Sequence, residues 1–209
     1  MEQTKPNELE EVGRILVDHH LKGSLPEHID FVQAKNFTKS NRAKGSISLV
    51  VIHDMEGTES KERAELCAAR FAGGPGVIVP KASAHYAIDF DSIVGMVKEK
   101  DVAWHAPGAN HNGIGLEHAG FARQTAAQWK DEYGMHMLAL SAGLTARICK
   151  RYALPTNFVD AVGLTRLEQG ITTHAEVTKA FRKSTHMDPG PNFPLAWYLS
   201  MVQYASQRI

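Results

Sequence analysis

Several polar side chains stand where an unpartnered polar group would be costly or would be held rigidly. His53 closes a continuously apolar run, and Glu117 lies inside a second apolar segment, where an unpaired carboxylate is expensive to bury. His174 follows Ile-Thr-Thr, and Asp188 opens a rigid Asp-Pro-Gly-Pro turn. His186 lies two residues before Asp188, so in an extended chain both side chains point to the same side. Imidazole is a common metal ligand and acid–base group, so these residues are candidates for either chemistry.

Two imidazoles and one carboxylate form the ligand set of a catalytic zinc site, in which the fourth position is left for water. His53, His174 and Asp188 could supply that set. They are far apart in the chain, however, and no short ligand motif joins any two of them. From residue types alone, structural histidines whose ring nitrogens are hydrogen-bonded within the protein are the more common explanation. The pattern therefore leaves both a zinc site and a purely structural role open.

The candidate residues follow segments whose apolar patterns predict strands and helices. The run 47–53 is β-branched and continuously apolar, which is typical of a central strand buried on both faces. Apolar residues at three- and four-residue steps over 129–148 predict a long helix, which a capping-box pattern at Thr125 and Gln128 introduces. Further strands are expected at 84–89, 92–97, 113–118 and 170–174, and further helices at 7–22, 60–72, 175–182 and 195–207.

This alternation predicts an α/β fold around one sheet. We expect the domain to span 47–209 and to follow an N-terminal extension, 1–46, that combines a helix with an irregular segment. The basic stretch Lys35–Lys44 within the extension is expected to be a solvated loop, because runs of charge usually face water.

Composition excludes several classes of protein. The chain has 209 residues with 23 basic and 23 acidic side chains, so no net positive charge gathers nucleic acid or anionic lipid. No run of about eighteen apolar residues is present, so no membrane insertion is expected. The N-terminus is acidic and polar, unlike a secretory signal, so the chain is expected to stay in the cytoplasm unless another agent releases it. Phosphate-binding glycine loops, Cys-x-x-Cys pairs, Gly-x-Ser-x-Gly elbows and His-Glu-x-x-His helices are absent.

Several stretches of the chain occur in the order found in one enzyme family. They are Val-Val-Ile-His-Asp (50–54), Ser-Ala-His-Tyr-Ala-Ile-Asp (83–89), Ala-Trp-His-Ala (103–106), Gly-Ile-Gly-Leu-Glu-His (113–118), Thr-His-Ala-Glu-Val (173–177) and Asp-Pro-Gly-Pro-Asn-Phe-Pro (188–194). With them, the chain from about 47 to 194 resembles the zinc-dependent N-acetylmuramoyl-L-alanine amidases of type 2, which include many phage endolysins. The animal peptidoglycan recognition proteins share their fold. The resemblance implies a single central mixed β-sheet flanked by helices.

The resemblance also implies which residues do the chemistry. It places one zinc ion per chain on His53, His174 and Asp188. It places the catalytic glutamate on Glu117, which takes a proton from the attacking water and passes it to the leaving amine. His186 occupies a position where many members carry a lysine, so it is expected to act as the catalytic group that polarises the substrate carbonyl.

The substrate implied by the resemblance is peptidoglycan, cut at the amide between the lactyl group of N-acetylmuramic acid and L-alanine. His85, Trp104 and His105 are expected to line the substrate groove, because such rings pack on sugar faces. His85 could instead orient a ligand, and Trp104 could belong to the core. We favour a phage-type endolysin that acts on the cell wall after release from the producing cell. A cytoplasmic recycling amidase for soluble anhydro-muropeptides and a non-catalytic peptidoglycan-binding module are the alternatives, and the oligomeric state stays open.

Overall fold

The computed structural model describes residues 8–24 and 29–209. Its helices are α1 (Glu8–His19), α2 (Arg63–Ala72), α3 (Glu132–Tyr152), α4 (Ala161–Thr165), α5 (His174–Phe181) and α6 (Leu195–Ser206). Its strands are β1 (Asp30–Phe31), β2 (Phe37–Thr38), β3 (Leu49–Asp54), β4 (Tyr86–Ile88), β5 (Ile93–Gly95), β6 (Val102–Ala103), β7 (Gly113–His118) and β8 (Gly170–Thr173). None of the helices in these ranges has the length and apolar character needed to cross a membrane.

One mixed sheet of six strands forms the centre of the molecule, in the order β1-β5-β4-β7-β3-β8. β3 lies between β7 and β8 and runs parallel to both, and β7 also pairs in parallel with β4. The β4–β5 hairpin is antiparallel and turns at Asp89, whose Oδ1 accepts from the N–H groups of Asp91 and Ser92 at 3.2 and 2.9 Å. The prediction of a single mixed sheet flanked by helices is therefore confirmed.

Strand β3 is buried along its whole length because it is apolar on both faces. Val50 and Ile52 lie in the core that α3 and α6 cover. Leu49 and Val51 point the other way and pack with residues of α4 and α5. Successive side chains of a strand alternate, so His53 lies on the same face as Leu49 and Val51. The strand thus delivers His53 to the face opposite α3.

The long helix begins later than the capping-box pattern predicts. Thr125 and Gln128 do form the box: the N–H of Thr125 donates to Gln128 Oε1 (2.9 Å), and the N–H of Gln128 donates to Thr125 Oγ1 (3.3 Å). This box opens only a 3-10 turn, however. Helix α3 follows a second cap, Asp131, whose Oδ1 accepts from the N–H of Gly134 (2.9 Å). Each cap satisfies an amide that the helical turn itself leaves unpaired.

The N-terminal segment attaches to the rest of the fold at two places. Helix α1 packs on α3 and α6, where Trp197 Nε1 donates to the carbonyl oxygen of Leu9 (3.0 Å). A Cβ at Gly13 would lie 2.9 Å from the same indole nitrogen, so glycine permits this close approach. Strand β1 adds a parallel edge strand beside β5, so part of the segment that was expected to be irregular belongs to the sheet. The division of the chain at residue 46 stays a prediction.

The basic stretch is not wholly the solvated loop that its charge predicts. Arg42 is half-buried, and its Nη1 donates to the carbonyl oxygens of His111 and Gly113 (both 3.0 Å). Its Nη2 donates to the carbonyl oxygen of Glu99 (2.6 Å). Hydrogen bonds from a charged guanidinium are stronger than neutral ones, so Arg42 ties the chain before β3 to the loops around β7.

Candidate active site

Neighbouring strands bring the candidate residues to one end of the sheet. In the register of the parallel pair β3–β7, His53 lies opposite Glu117, so both side chains rise from the same face. β8 runs beside β3 up to Thr173, and His174 follows directly as the first residue of α5. Thr173 caps this helix, since its Oγ1 accepts from the N–H of Glu176 (3.3 Å). The residues therefore meet at the carboxyl ends of parallel strands, where α/β sheets bind ligands.

Asp188 reaches the same place from the segment between α5 and α6. Its Oδ2 lies 3.0 Å from Nδ1 of His53, and its Oδ1 lies 3.1 Å from Nδ1 of His174. One ligand atom from each of these three buried residues lies within 4.8 Å of the others. Across residues 8–24 and 29–209, no fourth His, Cys, Asp or Glu joins the group. The structure thus brings together the three residues that the sequence marked as candidate ligands.

The geometry and donor set of this group fit a metal ion. Asp188 Oδ1 is buried and, although His174 Nδ1 lies 3.1 Å away, the two are not aligned as a hydrogen bond, so this oxygen has no partner in the described chain. Zinc with ligand bonds of about 2.0–2.1 Å sets tetrahedral ligand atoms about 3.3 Å apart, close to the two separations above. Two imidazole nitrogens and one carboxylate oxygen are also a donor set that suits zinc.

The pKa shifts of Asp188 and His53 favour the forms of these two residues that bind a metal. Burial alone would raise the pKa of Asp188, but its contacts with His174 and His53 outweigh this effect and hold the pKa far below its ordinary value. Burial lowers the pKa of His53. The site therefore presents a carboxylate beside a neutral imidazole, and metal ligands must be deprotonated in this way.

Glu117 is a further carboxyl group of the site. It is half-buried, lines the cleft above the ligands and makes no side-chain hydrogen bond to the residues described. Desolvation, followed by the negative charges of Asp188 and Asp54, raises the pKa of Glu117 well above its ordinary value. Burial likewise raises the pKa of Asp54 to about 7. A cation at the ligand group would relieve the repulsion among these carboxyl groups.

His186 lies at the exposed edge of the group. Its ring stacks on that of His174, with 4.7 Å between centroids and 10° between planes. Its Nδ1 is 3.5 Å from Asp188 Oδ1, and 67% of its side chain is exposed. The stacked ring is therefore held in place while it remains open to a ligand in the cleft.

A cleft of ≈ 750 Å³ opens over these residues. This volume is ample for a ligand of several hundred daltons. The walls combine apolar and basic side chains, among them Leu66, Phe71, Pro80, Trp104, Pro107, Met187, Arg63, Arg70 and Lys81. The cleft also contains the acidic side chains of Asp54, Glu56, Glu117 and Asp188, so it offers apolar, basic and acidic contacts to a ligand.

Comparisons with known proteins agree with this geometry. The sequence model of the N-acetylmuramoyl-L-alanine amidase family matches residues 43–191. The chain belongs to this family. The amidase is also similar to N-acetylmuramoyl-L-alanine amidase A of Achromobacter lyticus, with 35% identity over 171 residues that cover 77% of this chain and 85% of the relative. The expected enzyme class, an amidase that acts on peptidoglycan, is thereby confirmed.

Solved structures share the fold of the amidase. A Staphylococcus aureus hydrolase, AmiA, in complex with its ligand matches with a TM-score of 0.68 and 16% identity over 99% of this chain and 93% of its own. The amidase LysC of Clostridium intestinale matches with a TM-score of 0.54 and 17% identity over 85% of this chain and 99% of its own. At these identities the similarity shows the fold alone.

His85 lies beneath the cleft of the amidase and not on its wall. It is fully buried, its Nδ1 accepts from the N–H of Gly115 (3.0 Å), and its Nε2 lies 2.9 Å from Arg42 Nη2. The expectation that His85 touches the substrate is therefore wrong for this structure, because the ring is enclosed by protein on every side. The supporting role that the sequence also allowed is the one compatible with this placement.

Trp104 and His105 differ in what they face. Trp104 is 38% exposed on the cleft wall, and its Nε1 donates to Thr38 Oγ1 (2.9 Å). It belongs to the groove and not to the core. His105 is 7% exposed, and its Nδ1 lies 3.0 Å from Nε2 of His53. Its polar contact is thus with a candidate metal ligand, and little of the residue is exposed to the cleft that it helps to line.

Sequence reasoning missed Ser184. Its Oγ lies 3.3 Å from His174 Nε2 and 2.5 Å from Thr178 Oγ1. A serine in the segment between α5 and α6 gives no sequence signal of a contact with His174, because that contact depends on the path of the chain after α5. The position of Asp54 did carry a signal, since it is a second polar residue at the end of an apolar strand, next to His53.

Proposed function

We propose that the amidase holds one zinc ion on His53, His174 and Asp188 and uses Glu117 to cleave the amide between the lactyl group of N-acetylmuramic acid and L-alanine. The convergence of the three ligand atoms beside Glu117, at the floor of a cleft, is the observation that carries this proposal. The name of the Achromobacter lyticus relative supports the choice of bond.

Zinc supplies Lewis acidity when bound: it lowers the pKa of water to about 7 and polarises a carbonyl group. Glu117 accepts the proton of the attacking water and later donates it to the departing amine nitrogen. Its carboxyl group suits both tasks, because it faces the cleft and is not held in a hydrogen bond to the described chain. A nearby cation favours its carboxylate form as a base, and the desolvated surroundings favour the protonated form that then acts as an acid.

His186 and Trp104 complete the proposed site. A ring N–H of His186 donates a hydrogen bond to the carbonyl oxygen while negative charge develops there. Its stack on His174 limits the rotation of the ring and so preorganises the donor. Trp104 offers the exposed aromatic face on the cleft wall on which a sugar ring can pack.

We propose further that the amidase is a phage-type endolysin that acts on the cell wall after release from the producing cell. The resemblance of the sequence stretches around the site to those of phage endolysins supports this role, and a mutant endolysin from Bacillus subtilis shares the fold with a TM-score of 0.54. A recycling amidase would use the same residues on soluble anhydro-muropeptides, so the size of the preferred substrate decides between the two roles.

The test compares purified insoluble peptidoglycan with a soluble anhydro-muropeptide. The wild-type protein is assayed with and without a chelator, and E117Q serves as the matched control. We expect wild-type protein to clear the suspension and to release L-alanine amino groups, E117Q to slow this release by about 10²–10⁴-fold, and the chelator to abolish it. Cleavage of the soluble compound alone would overturn the endolysin role. Absence of cleavage on both substrates by zinc-loaded protein would overturn the proposed chemistry.

A further inference from the structure

We infer that His105 is a positioning residue for the metal site. Its imidazole holds His53 in the orientation and tautomer that metal binding requires, and Gly115 provides the space for its ring. This inference rests on the proposed function, because it concerns the metal ligand set.

The two nitrogens of His53 face different partners. Nδ1 lies 3.0 Å from Asp188 Oδ2, on the side of the ligand group, and Nε2 lies 3.0 Å from Nδ1 of His105. The two histidine rings meet edge to face, with centroids 5.1 Å apart and planes at 87°. Both side chains are buried, so water does not compete for this contact. A ligating imidazole is normally oriented by a hydrogen bond from its other ring nitrogen.

The tautomers of the pair depend on each other. A neutral His53 that binds a metal through Nδ1 carries its proton on Nε2, and this N–H needs an acceptor. Nδ1 of His105 is the atom in reach, and it accepts only when the proton of His105 is on its own Nε2. Nε2 of His105 is buried without a hydrogen-bond partner in the described chain, so no donor faces it that would force the proton onto Nδ1.

Strand β7 leaves a hollow for the His105 ring. A Cβ on Gly115 would lie 2.6 Å from Cγ and 2.8 Å from Nδ1 of His105, and a Cβ on Gly113 would lie 3.1 Å from its Cε1. The backbone N–H of His105 donates to Asn110 Oδ1 (3.0 Å), which fixes the start of the side chain. The glycine at 115 is thus explained by the His105 ring that packs across it, whereas a Cβ at Gly113 would first meet the backbone oxygen of Ala109, at 2.7 Å. Any larger residue at 115 would displace that ring from its present contact with His53.

His174 has a looser arrangement on its outer side. Its Nε2 lies 3.3 Å from the hydroxyl of Ser184, which can rotate to donate or accept. His105 cannot adapt in this way, because each of its nitrogens is a donor or an acceptor according to the tautomer. Removal of His105 is therefore expected to disturb metal binding more than removal of a hydroxyl.

The experiment measures zinc affinity of purified metal-free protein by competition with a chromophoric chelator. The variants are H105A, H105N, G115A and the double variant H105A/G115A. H105N is the conservative rescue, because the amide oxygen of asparagine can lie near the position of the imidazole Nδ1 and accept from His53. Urea unfolding of each metal-free variant reports on the fold separately from metal binding.

We expect H105A to weaken zinc binding by about 10–100-fold, the usual effect of an outer partner of a metal ligand. H105N should recover most of this loss. G115A should weaken binding although every imidazole is present, and its effect should disappear in the H105A background, where no ring remains to be displaced. If H105A fails to fold, the same comparison is made between G115A and wild-type protein.

Wild-type affinity in H105A or in G115A would overturn the inference and leave the proposed function intact. An H105N variant no better than a folded H105A, or a G115A effect that persists without His105, would also overturn it, because the loss would then be one of packing. If the wild-type protein itself binds no zinc, the proposed function fails, and the inference fails with it before any variant is compared.

Discussion

His53 and Glu117 are register partners on the adjacent parallel strands β3 and β7, so a candidate metal ligand and the candidate proton carrier rise side by side from one face of the sheet. Both stand on strands that are buried along most of their length, and groups on such elements are held more firmly than groups on loops. Metal binding and proton transfer are therefore assigned to different residues, so a substitution can remove one of these functions and leave the other.

Replacement of Glu117 by glutamine should remove the proton carrier and spare the ligands. We expect the rate of amide cleavage by E117Q to fall by about 10²–10⁴-fold, the usual contribution of a general acid–base group. Its zinc content should equal that of the wild-type protein, as measured by atomic absorption on the dialysed sample. A variant that loses its zinc would show that Glu117 is a ligand and that its role is misassigned.

Replacement of Asp188, unlike that of Glu117, should weaken zinc binding. D188N keeps the shape of the side chain but removes the charge that faces the two imidazoles. We expect zinc affinity to fall by at least about 10–100-fold, because even an outer partner of a metal ligand has an effect of that size. The measurement is a chelator competition with D160N as the control, since Asp160 caps the remote helix α4. Equal zinc affinity in D188N and wild-type protein would contradict the assigned ligand set.

The back of β3 carries a hydrogen-bond chain that supports the site. Nδ1 of His118 donates to the carbonyl oxygen of His53 (2.9 Å), and Nε2 lies 2.6 Å from Ser141 Oγ. Burial lowers the pKa of His118 to about 4, so the ring is neutral and its Nε2 accepts. S141A leaves this buried acceptor without a donor, and we expect it to cost about 1–3 kcal/mol in the free energy of unfolding.

Urea unfolding of metal-free protein checks this cost. S206A is the control, because the exposed hydroxyl of Ser206 donates only within its own helix, to the carbonyl oxygen of Gln203 (2.8 Å). We expect a change of about 0.5 kcal/mol or less for this surface substitution. Equal effects of S141A and S206A would mean that the buried chain contributes nothing to stability.

The free energy of unfolding should decrease in mild acid because of the lowered pKa of His20. Burial, and then His136 and His19, lowers the pKa of His20 to about 4. The unfolded chain titrates near the ordinary pKa of about 6.5, so between these values it binds more protons than the folded chain. Stability therefore rises with pH across this window and is lost as the pH falls from about 6.5 to about 4. The full shift, from 6.5 to about 4, corresponds to about 3–4 kcal/mol, which is the upper limit of this contribution.

The comparison of wild-type protein with H20L isolates this contribution. Urea unfolding at pH 7 and pH 4.5 gives the loss of stability for each protein, and contributions from other groups cancel in the difference. We expect the wild-type protein to lose more than H20L. An equal loss in both proteins would assign the acid sensitivity to other groups, such as His118, whose pKa is also lowered to about 4.

The sheet centre and the ligand set could be predicted from the sequence because their signals are local or carried by the family resemblance. The run that forms β3 is apolar on both faces, and the segment that forms β7 has the predicted bounds, 113–118. The polar residues that end these runs meet at one sheet edge, as the topology of parallel strands requires. No knowledge of side-chain packing was needed to propose His53, His174 and Asp188 as metal ligands.

Other features depend on tertiary contacts that no local pattern records. Strand β1 has two residues and forms only because β5 offers an edge for pairing. Arg42 lies in a run of charged residues that predicts a solvated loop, yet its guanidinium donates hydrogen bonds to carbonyl oxygens of residues distant in the chain. The contact of His105 with His53 requires the ring to cross β7 at Gly115, which follows from strand register and not from spacing along the chain.

The location of zinc in a crystal of the protein, from anomalous diffraction measured on both sides of the zinc absorption edge, tests the central claim most directly. We expect one anomalous peak per chain, within bonding distance of Nδ1 of His53, Nδ1 of His174 and a carboxylate oxygen of Asp188, with no fourth protein ligand. A peak elsewhere, a peak closed off by a fourth side chain, or no peak in zinc-soaked active protein would contradict the metal site and the chemistry built on it.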